Sequence, residues 1–112
     1  AKEVHVRVAC PPIVAPCFYG IDMPTVSELF APKYLNDLAE PDDQVHAMMA
    51  SHLQCDSLRY LPRAAIARAI QMPEDALCQA CLSGKYPTPS GQQLYQLVLG
   101  GAYSASGRPL DK

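Results

Sequence analysis

The chain has 112 residues, of which 49% are hydrophobic, and its formal net charge is −2 from 9 basic and 11 acidic residues. This length suits one small domain or part of a larger one, and the apolar content excludes general disorder. The nearly balanced charge predicts neither a nucleic acid nor an anionic membrane as a partner, and no apolar run approaches the about 20 residues that span a bilayer. Because the sequence starts without methionine and enters a strand-like pattern at once, we expect residues upstream of Ala1.

The first third of the chain is predicted to contain one strand, an irregular segment and a short helix. "EVHVRVA" alternates valines with polar residues, which is typical of a β-strand. Prolines interrupt the next residues, and "FYGIDMPT" predicts a turn in which Gly20 takes a positive φ angle. Thr25 is expected to cap a short helix over "VSELFA", with Glu28 completing a capping box.

Two further helices and a second strand are predicted in the middle of the chain. A stripe of four apolar residues predicts an amphipathic helix over "DDQVHAMMASHL": Val45, Met48, Met49 and Leu53. Asp42 and Asp43 suit the first turn of this helix. "CDSLRYL" predicts the second strand, and "RAAIARAIQM" predicts a helix with Pro62 near its start.

The remaining residues are expected to be mostly irregular. "PEDALCQACLSGKYPTPSG" contains three prolines and two glycines, "QQLYQLVLGG" predicts a short helix that ends at Gly100, and the last residues are expected to form a frayed tail. The order of elements predicts an α/β fold with parallel strands. Two strands alone do not make a stable parallel sheet, so the rest of the sheet is expected elsewhere. We divide the chain into residues 1–71 and an extension over 72–112.

Five cysteines in a chain without an export signal predict reduced thiols in the cytoplasm. Cys78 and Cys81 form a C-x-x-C pair, and thiolates are soft ligands for zinc or iron–sulfur clusters. Cys17 is a plausible third ligand, and Cys10 or Cys55 a fourth, which leaves a small zinc-binding interaction module as one hypothesis. Inert cysteines remain another. A thioredoxin-like site is disfavoured, since the pair is predicted to follow a helix and enter a loop.

Four motifs occur in a fixed order: "VACPPIVAP", "PCFYGID", "CDSLRYL" followed by a helix, and "CQACLSGKYPTP". Together they resemble the C-terminal part of the glutamine phosphoribosylpyrophosphate amidotransferases (amidophosphoribosyltransferases), in the branch that carries an iron–sulfur cluster. The resemblance covers about residues 1–89. It implies the last strands and helices of a type I phosphoribosyltransferase domain, followed by an irregular extension.

The resemblance also implies an activity. Enzymes of this family transfer ammonia from glutamine to phosphoribosyl pyrophosphate, which gives 5-phosphoribosylamine in the first step of purine synthesis. Neither the N-terminal cysteine nucleophile of the glutaminase domain nor the phosphate-binding loop matches any residue of this chain. We therefore expect no catalytic residue here and no activity from the chain alone.

The cofactors and partners that the resemblance implies belong to the whole enzyme. Cys17, Cys78 and Cys81 match three ligands of a 4Fe-4S cluster, with the fourth outside this chain, whereas Cys10 and Cys55 match small packed residues. Mg²⁺, a homo-tetramer, phosphoribosyl pyrophosphate, purine nucleotides and a cytoplasmic location are also implied, with no nucleic acid and no membrane. The turn from Tyr19 to Asp22 either lines a substrate or nucleotide site or only places Cys17.

Overall fold

A computed structural model of the chain describes residues 1–21, 26–35 and 39–100. The chain divides into two compact units. The first unit comprises Ala1–Pro12 and Lys33–Leu77, and the second comprises Ile13–Pro32 and the described residues from Cys78 onwards. The boundary between residues 71 and 72 stays a prediction.

The first unit is a small α/β structure. Strand β1 (His5–Val8) pairs in parallel with β2 (Ser57–Tyr60), with His5 opposite Ser57 and Val8 opposite Tyr60. Helix α1 (Asp43–His52) packs against β2, and helix α2 (Arg63–Ile70) follows that strand. The predicted parallel pair and both predicted helices are therefore confirmed in the part of the chain that the structure describes.

Helix α1 starts as its sequence predicts but buries a different face. Asp42 is the N-cap, and its Oδ1 accepts a hydrogen bond from the Val45 N–H at 2.8 Å. The predicted apolar stripe is only partly correct, because Met48 and Leu53 are 54% and 50% exposed. The buried face contains the completely buried Met49 and the almost completely buried His46, since these residues lie against β2.

The second unit begins with an irregular segment and continues through short helical turns. The predicted helix over "VSELFA" is instead a 3-10 turn at Val26–Glu28, followed by another at Ala31–Lys33. Pro32 lacks an N–H group and so cannot donate the backbone bond that would continue an α-helix. The predicted cap at Thr25 lies outside the described residues, as does the predicted tail at 101–112.

The segment after Met72 contains more helix than its proline content predicts. A 3-10 turn at Glu74–Ala76 precedes helix α3 (Ala80–Ser83), which ends at Gly84 with a φ angle of 76°. Helix α4 (Pro89–Leu99) starts earlier than predicted and ends at Gly100 as predicted. Among the described residues, no helix has the length and apolar composition to cross a membrane.

Candidate functional site

The three cysteines that the sequence selects as ligands all belong to the second unit. Cys17 and Cys81 are half-buried, Cys78 is exposed, and none of the five cysteines forms a disulfide. Cys10 and Cys55 belong to the first unit, where both are half-buried. The Cys55 thiol lies 3.6 Å from the Ala50 carbonyl oxygen, as expected for a packed thiol.

The Cys17 segment has no regular secondary structure, and hydrogen bonds fix it in place. The N–H groups of Val14 and Ala15 both donate to the Cys81 carbonyl oxygen, at 2.8 and 3.1 Å. The carbonyl oxygen of Pro16 accepts a hydrogen bond of 2.5 Å from the Tyr86 hydroxyl. Three consecutive residues before Cys17 are therefore bonded to the segment that carries the C-x-x-C pair.

The C-x-x-C pair opens a short helix, which corrects the prediction of a loop. Cys78 precedes the N-cap residue Gln79, and Cys81 is the second residue of α3. The Gly84 N–H donates to the Ala80 carbonyl oxygen at 2.7 Å and closes this single turn. A 3-10 turn, not a strand, precedes the pair, so the context of a thioredoxin-like site is still missing.

Aromatic side chains that follow Cys17 and Cys81 in the sequence form a cluster around Tyr86. The ring centroid of Tyr86 lies 5.3 Å from that of Phe18, 6.2 Å from that of Tyr19 and 5.2 Å from that of Tyr95. Burial, and then the neighbouring Tyr95, Cys81 and Cys17, raise the pKa of Tyr86 far above its ordinary value. The Tyr86 hydroxyl is therefore protonated and acts as a hydrogen-bond donor.

A metal ion or a metal cluster requires several ligand side chains close together. No group of three or more His, Cys, Asp or Glu side chains in the described ranges is placed to hold a metal ion. The ligands of a four-iron cluster bind different iron atoms, so they lie farther apart than the ligands of one zinc ion. The three thiols belong to one unit, and their role as ligands of a cluster or of a zinc ion stays a prediction.

Gln79, which lies inside the C-x-x-C pair, carries a buried donor that is relevant to a bound cluster. Its side-chain Nε2 is buried and has no hydrogen-bond partner among the described residues. A buried donor without a partner is unfavourable by about 1–3 kcal/mol. Hydrogen bonds to sulfur are common around iron–sulfur clusters, and the sulfurs of a bound cluster would offer acceptors that the polypeptide does not.

The turn after Cys17 packs against helix α4. Gly20 has a φ angle of 112°, as predicted, and the Tyr19 N–H lies 3.4 Å from the Cys17 sulfur. The Tyr19 hydroxyl lies 2.7 Å from Thr88 Oγ1, and its side chain contacts Gly91. Asp22 lies outside the described residues, so a role of this turn in ligand binding stays a prediction.

The first unit contains an open cleft of about 430 Å³ between α1 and β2, lined by polar and apolar residues that include His46, Arg59 and Leu58. Arg59 pairs with Asp43 at 2.5 Å, and this bond lowers the pKa of the Asp43 carboxyl. His46 Nε2 accepts a hydrogen bond from the Tyr60 N–H at 3.2 Å. His46 is not among the four apolar residues from which the buried face of α1 was predicted. Its spacing of three and four from Met49 and Ala50 is the signal that could have placed it inside.

The fold and the thiols define the chain as a small α/β protein with a second unit that carries three cysteines. Three curated relatives are all named amidophosphoribosyltransferase. The protein of Mycobacterium tuberculosis is 39% identical over 78% of this chain, that of Methanocaldococcus jannaschii 40% over 79%, and the chloroplastic protein of Glycine max 41% over 87%. Neither a family model nor a solved structure matches the chain.

These identities extend over most of the chain and confirm the resemblance that its motifs predicted. The chain is a homologue of one segment of the amidophosphoribosyltransferases. It spans only about 16% of the length of each of these relatives.

Proposed function

We propose that this chain forms part of an amidophosphoribosyltransferase and contributes the last strands and helices of its type I phosphoribosyltransferase domain, followed by a C-terminal extension. The observation that carries the proposal is the identity of 39–41% to proteins of that name over at least 78% of the chain. The two parallel strands, with α1 packed against β2, suit this position in an α/β domain.

The reaction that we propose for the whole enzyme has two stages. Hydrolysis of the glutamine side chain gives glutamate and ammonia. The ammonia then attacks the anomeric carbon of phosphoribosyl pyrophosphate, where a C–N bond forms as the C–O bond to pyrophosphate breaks. The products are 5-phosphoribosylamine and pyrophosphate, and this is the first step of purine synthesis.

We assign no catalytic residue to this chain and expect it to be inactive alone. The glutaminase nucleophile and the phosphate-binding loop belong to the remainder of the enzyme chain, which is therefore its first partner. Mg²⁺ would accompany the pyrophosphate group there. The proposal includes a cytoplasmic homo-tetramer that binds purine nucleotides as regulators.

Cys17, Cys78 and Cys81 are the proposed ligands of a 4Fe-4S cluster, with a fourth ligand outside this chain. Their common unit, the hydrogen bonds that join their segments and the buried donor of Gln79 support this assignment. When bound, the cluster supplies metal–thiolate bonds that link distant segments and stabilise the fold. The transfer of ammonia involves no net oxidation or reduction, so the proposed role of the cluster is structural.

The native protein that carries this sequence provides the test. The M. tuberculosis relative has 87 matched residues that make up 16% of its length, which corresponds to about 540 residues. We expect peptides of this chain to map to a polypeptide of similar size. After anaerobic purification, that protein should release pyrophosphate from phosphoribosyl pyrophosphate when glutamine or ammonia is added, and it should contain about four irons per chain.

Two results would contradict parts of this proposal separately. If the native protein is as long as the relatives but releases no pyrophosphate with either glutamine or ammonia, the transferase activity is excluded. Activity without iron, together with one zinc per chain, would retain the transferase and reject the cluster. A native protein of only this length with one zinc would favour the zinc-binding interaction module instead.

A further inference from the structure

Tyr86 contacts both segments that carry the proposed ligands. Its hydroxyl donates to the carbonyl oxygen of Pro16, the residue directly before Cys17. Its own position in the chain is five residues after Cys81, beyond the end of α3. The residue is only 8% exposed, and its ring packs between those of Phe18 and Tyr95.

The segment before Cys17 contains neither helix nor strand, so packing and hydrogen bonds to other segments hold its backbone in place. Among the hydrogen bonds that hold residues 14–16, two end on the backbone carbonyl of Cys81, and the third comes from Tyr86. Of these three hydrogen bonds, the one from Tyr86 is the one with a side-chain donor. It is also the one nearest to Cys17 in sequence.

A hydrogen bond to helix α4 also holds the backbone of Tyr86 in place. Its N–H donates to Gln92 Oε1 on helix α4 at 3.1 Å. At the other end of the residue, the hydroxyl donates to the Pro16 carbonyl oxygen at 2.5 Å. Because the ring of Tyr86 is buried, its hydroxyl has little room to turn towards another acceptor.

We propose that Tyr86 is the positioning residue of the three-cysteine site: its hydroxyl holds the Pro16 carbonyl and thereby keeps Cys17 next to the segment that carries Cys81. That the three cysteines bind a metal centre, the 4Fe-4S cluster, rests on the proposed function, whereas the placement of Cys17 by Tyr86 does not.

The test compares two variants of the full-length protein that each remove one phenol hydroxyl from the same aromatic cluster. Y86F loses the bond to Pro16 and keeps the ring, and Y95F is the matched control. After anaerobic removal of iron, the alkylation rate of each cysteine by iodoacetamide is measured by mass spectrometry. We expect Cys17 to react about fivefold faster in Y86F, the factor for one hydrogen bond of ordinary strength, and to be within twofold of wild type in Y95F.

Cys55 in the first unit reports on general unfolding in the same samples. An increase at Cys17 with an unchanged rate at Cys55 supports the positioning role. An unchanged Cys17 rate in Y86F, an equal increase in Y95F or an equal increase at every cysteine overturns it.

A second readout separates the positioning role from the cluster. After reconstitution with iron and sulfide, we expect Y86F to lose its visible charge-transfer absorption in air faster than wild type and Y95F. If wild type binds no iron but Y86F still exposes Cys17, the positioning role stands and the cluster is rejected. Equal rates of bleaching in the three proteins overturn a role of Tyr86 in holding the cluster.

Discussion

At the residue scale, His46 shows how burial changes the role of a titratable side chain. The residue is 7% exposed, and its Nε2 accepts the Tyr60 N–H. Burial and then the charge of Arg59 lower the pKa of His46, while the Asp42 carbonyl and the charges of Asp43 and Asp42 partly oppose this shift. The neutral imidazole is therefore part of the folded structure.

The lowered pKa of His46 predicts a pH-dependent free energy of unfolding. The unfolded chain binds a proton to His46 near its ordinary pKa of 6.5, whereas the folded chain does so only at lower pH. The stabilisation is therefore complete above pH 6.5 and decreases as the pH falls towards the lower folded pKa. Urea unfolding at pH 8 and pH 5 measures it, and H46Q should depend less on pH than wild type.

Wild type and H46Q differ only at residue 46, so the difference in their pH dependence isolates His46. Identical pH dependence in the two proteins would contradict the prediction. H46A removes the acceptor of the Tyr60 N–H, and we expect it to cost about 1–3 kcal/mol at pH 8.

At the scale of elements, capping residues decide where the helices begin. Thr88 is the N-cap of α4, and its Oγ1 accepts a hydrogen bond from the Gly91 N–H at 3.1 Å. Proline at the first helical position, Pro89, adds to this start signal. The cap explains why α4 begins three residues before the segment "QQLY" that first suggested a helix.

We expect T88A to lower the free energy of unfolding by about 1 kcal/mol, because the Gly91 N–H loses its capping acceptor. T88S keeps the hydroxyl and should remain within a few tenths of a kcal/mol of wild type. Urea unfolding followed by circular dichroism measures both. Y19F removes only the contact of Tyr19 with Thr88, so a loss as large in Y19F as in T88A would show that the cap is not the cause.

At the scale of the whole molecule, the three proposed ligands belong to one unit and the two other cysteines belong to the other. This division provides a matched pair of variants, C78S and C55S. In the full-length protein we expect C78S to lose most of its iron and its charge-transfer absorption, because one thiolate ligand is removed. C55S should retain wild-type iron content.

Hydrogen exchange locates the structural effect of the same change. The N–H groups of Val14 and Ala15, which are bonded to the Cys81 carbonyl, should lose protection in C78S. The Asp56 N–H, bonded to the Val4 carbonyl in the first unit, should not. Unchanged iron content in C78S would reject Cys78 as a ligand.

The sequence by itself determined the elements with strong local signals. Alternating valines determined β1, Asp42 determined the start of α1, and Gly100 determined the end of α4. The ordered motifs also predicted the resemblance to the amidophosphoribosyltransferases, because the order of motifs is read directly from the linear sequence. These signals are local or linear, and so they can be read without coordinates.

Only the tertiary structure decided which residues meet. The buried face of α1 contains His46 and leaves Met48 exposed, because contact with β2 and not hydropathy alone selects that face. The bond from Tyr86 to Pro16 joins residues 70 positions apart, and no local pattern encodes such a pair. The surroundings of the cysteines therefore follow from packing between distant segments, which the linear sequence specifies only through the complete fold.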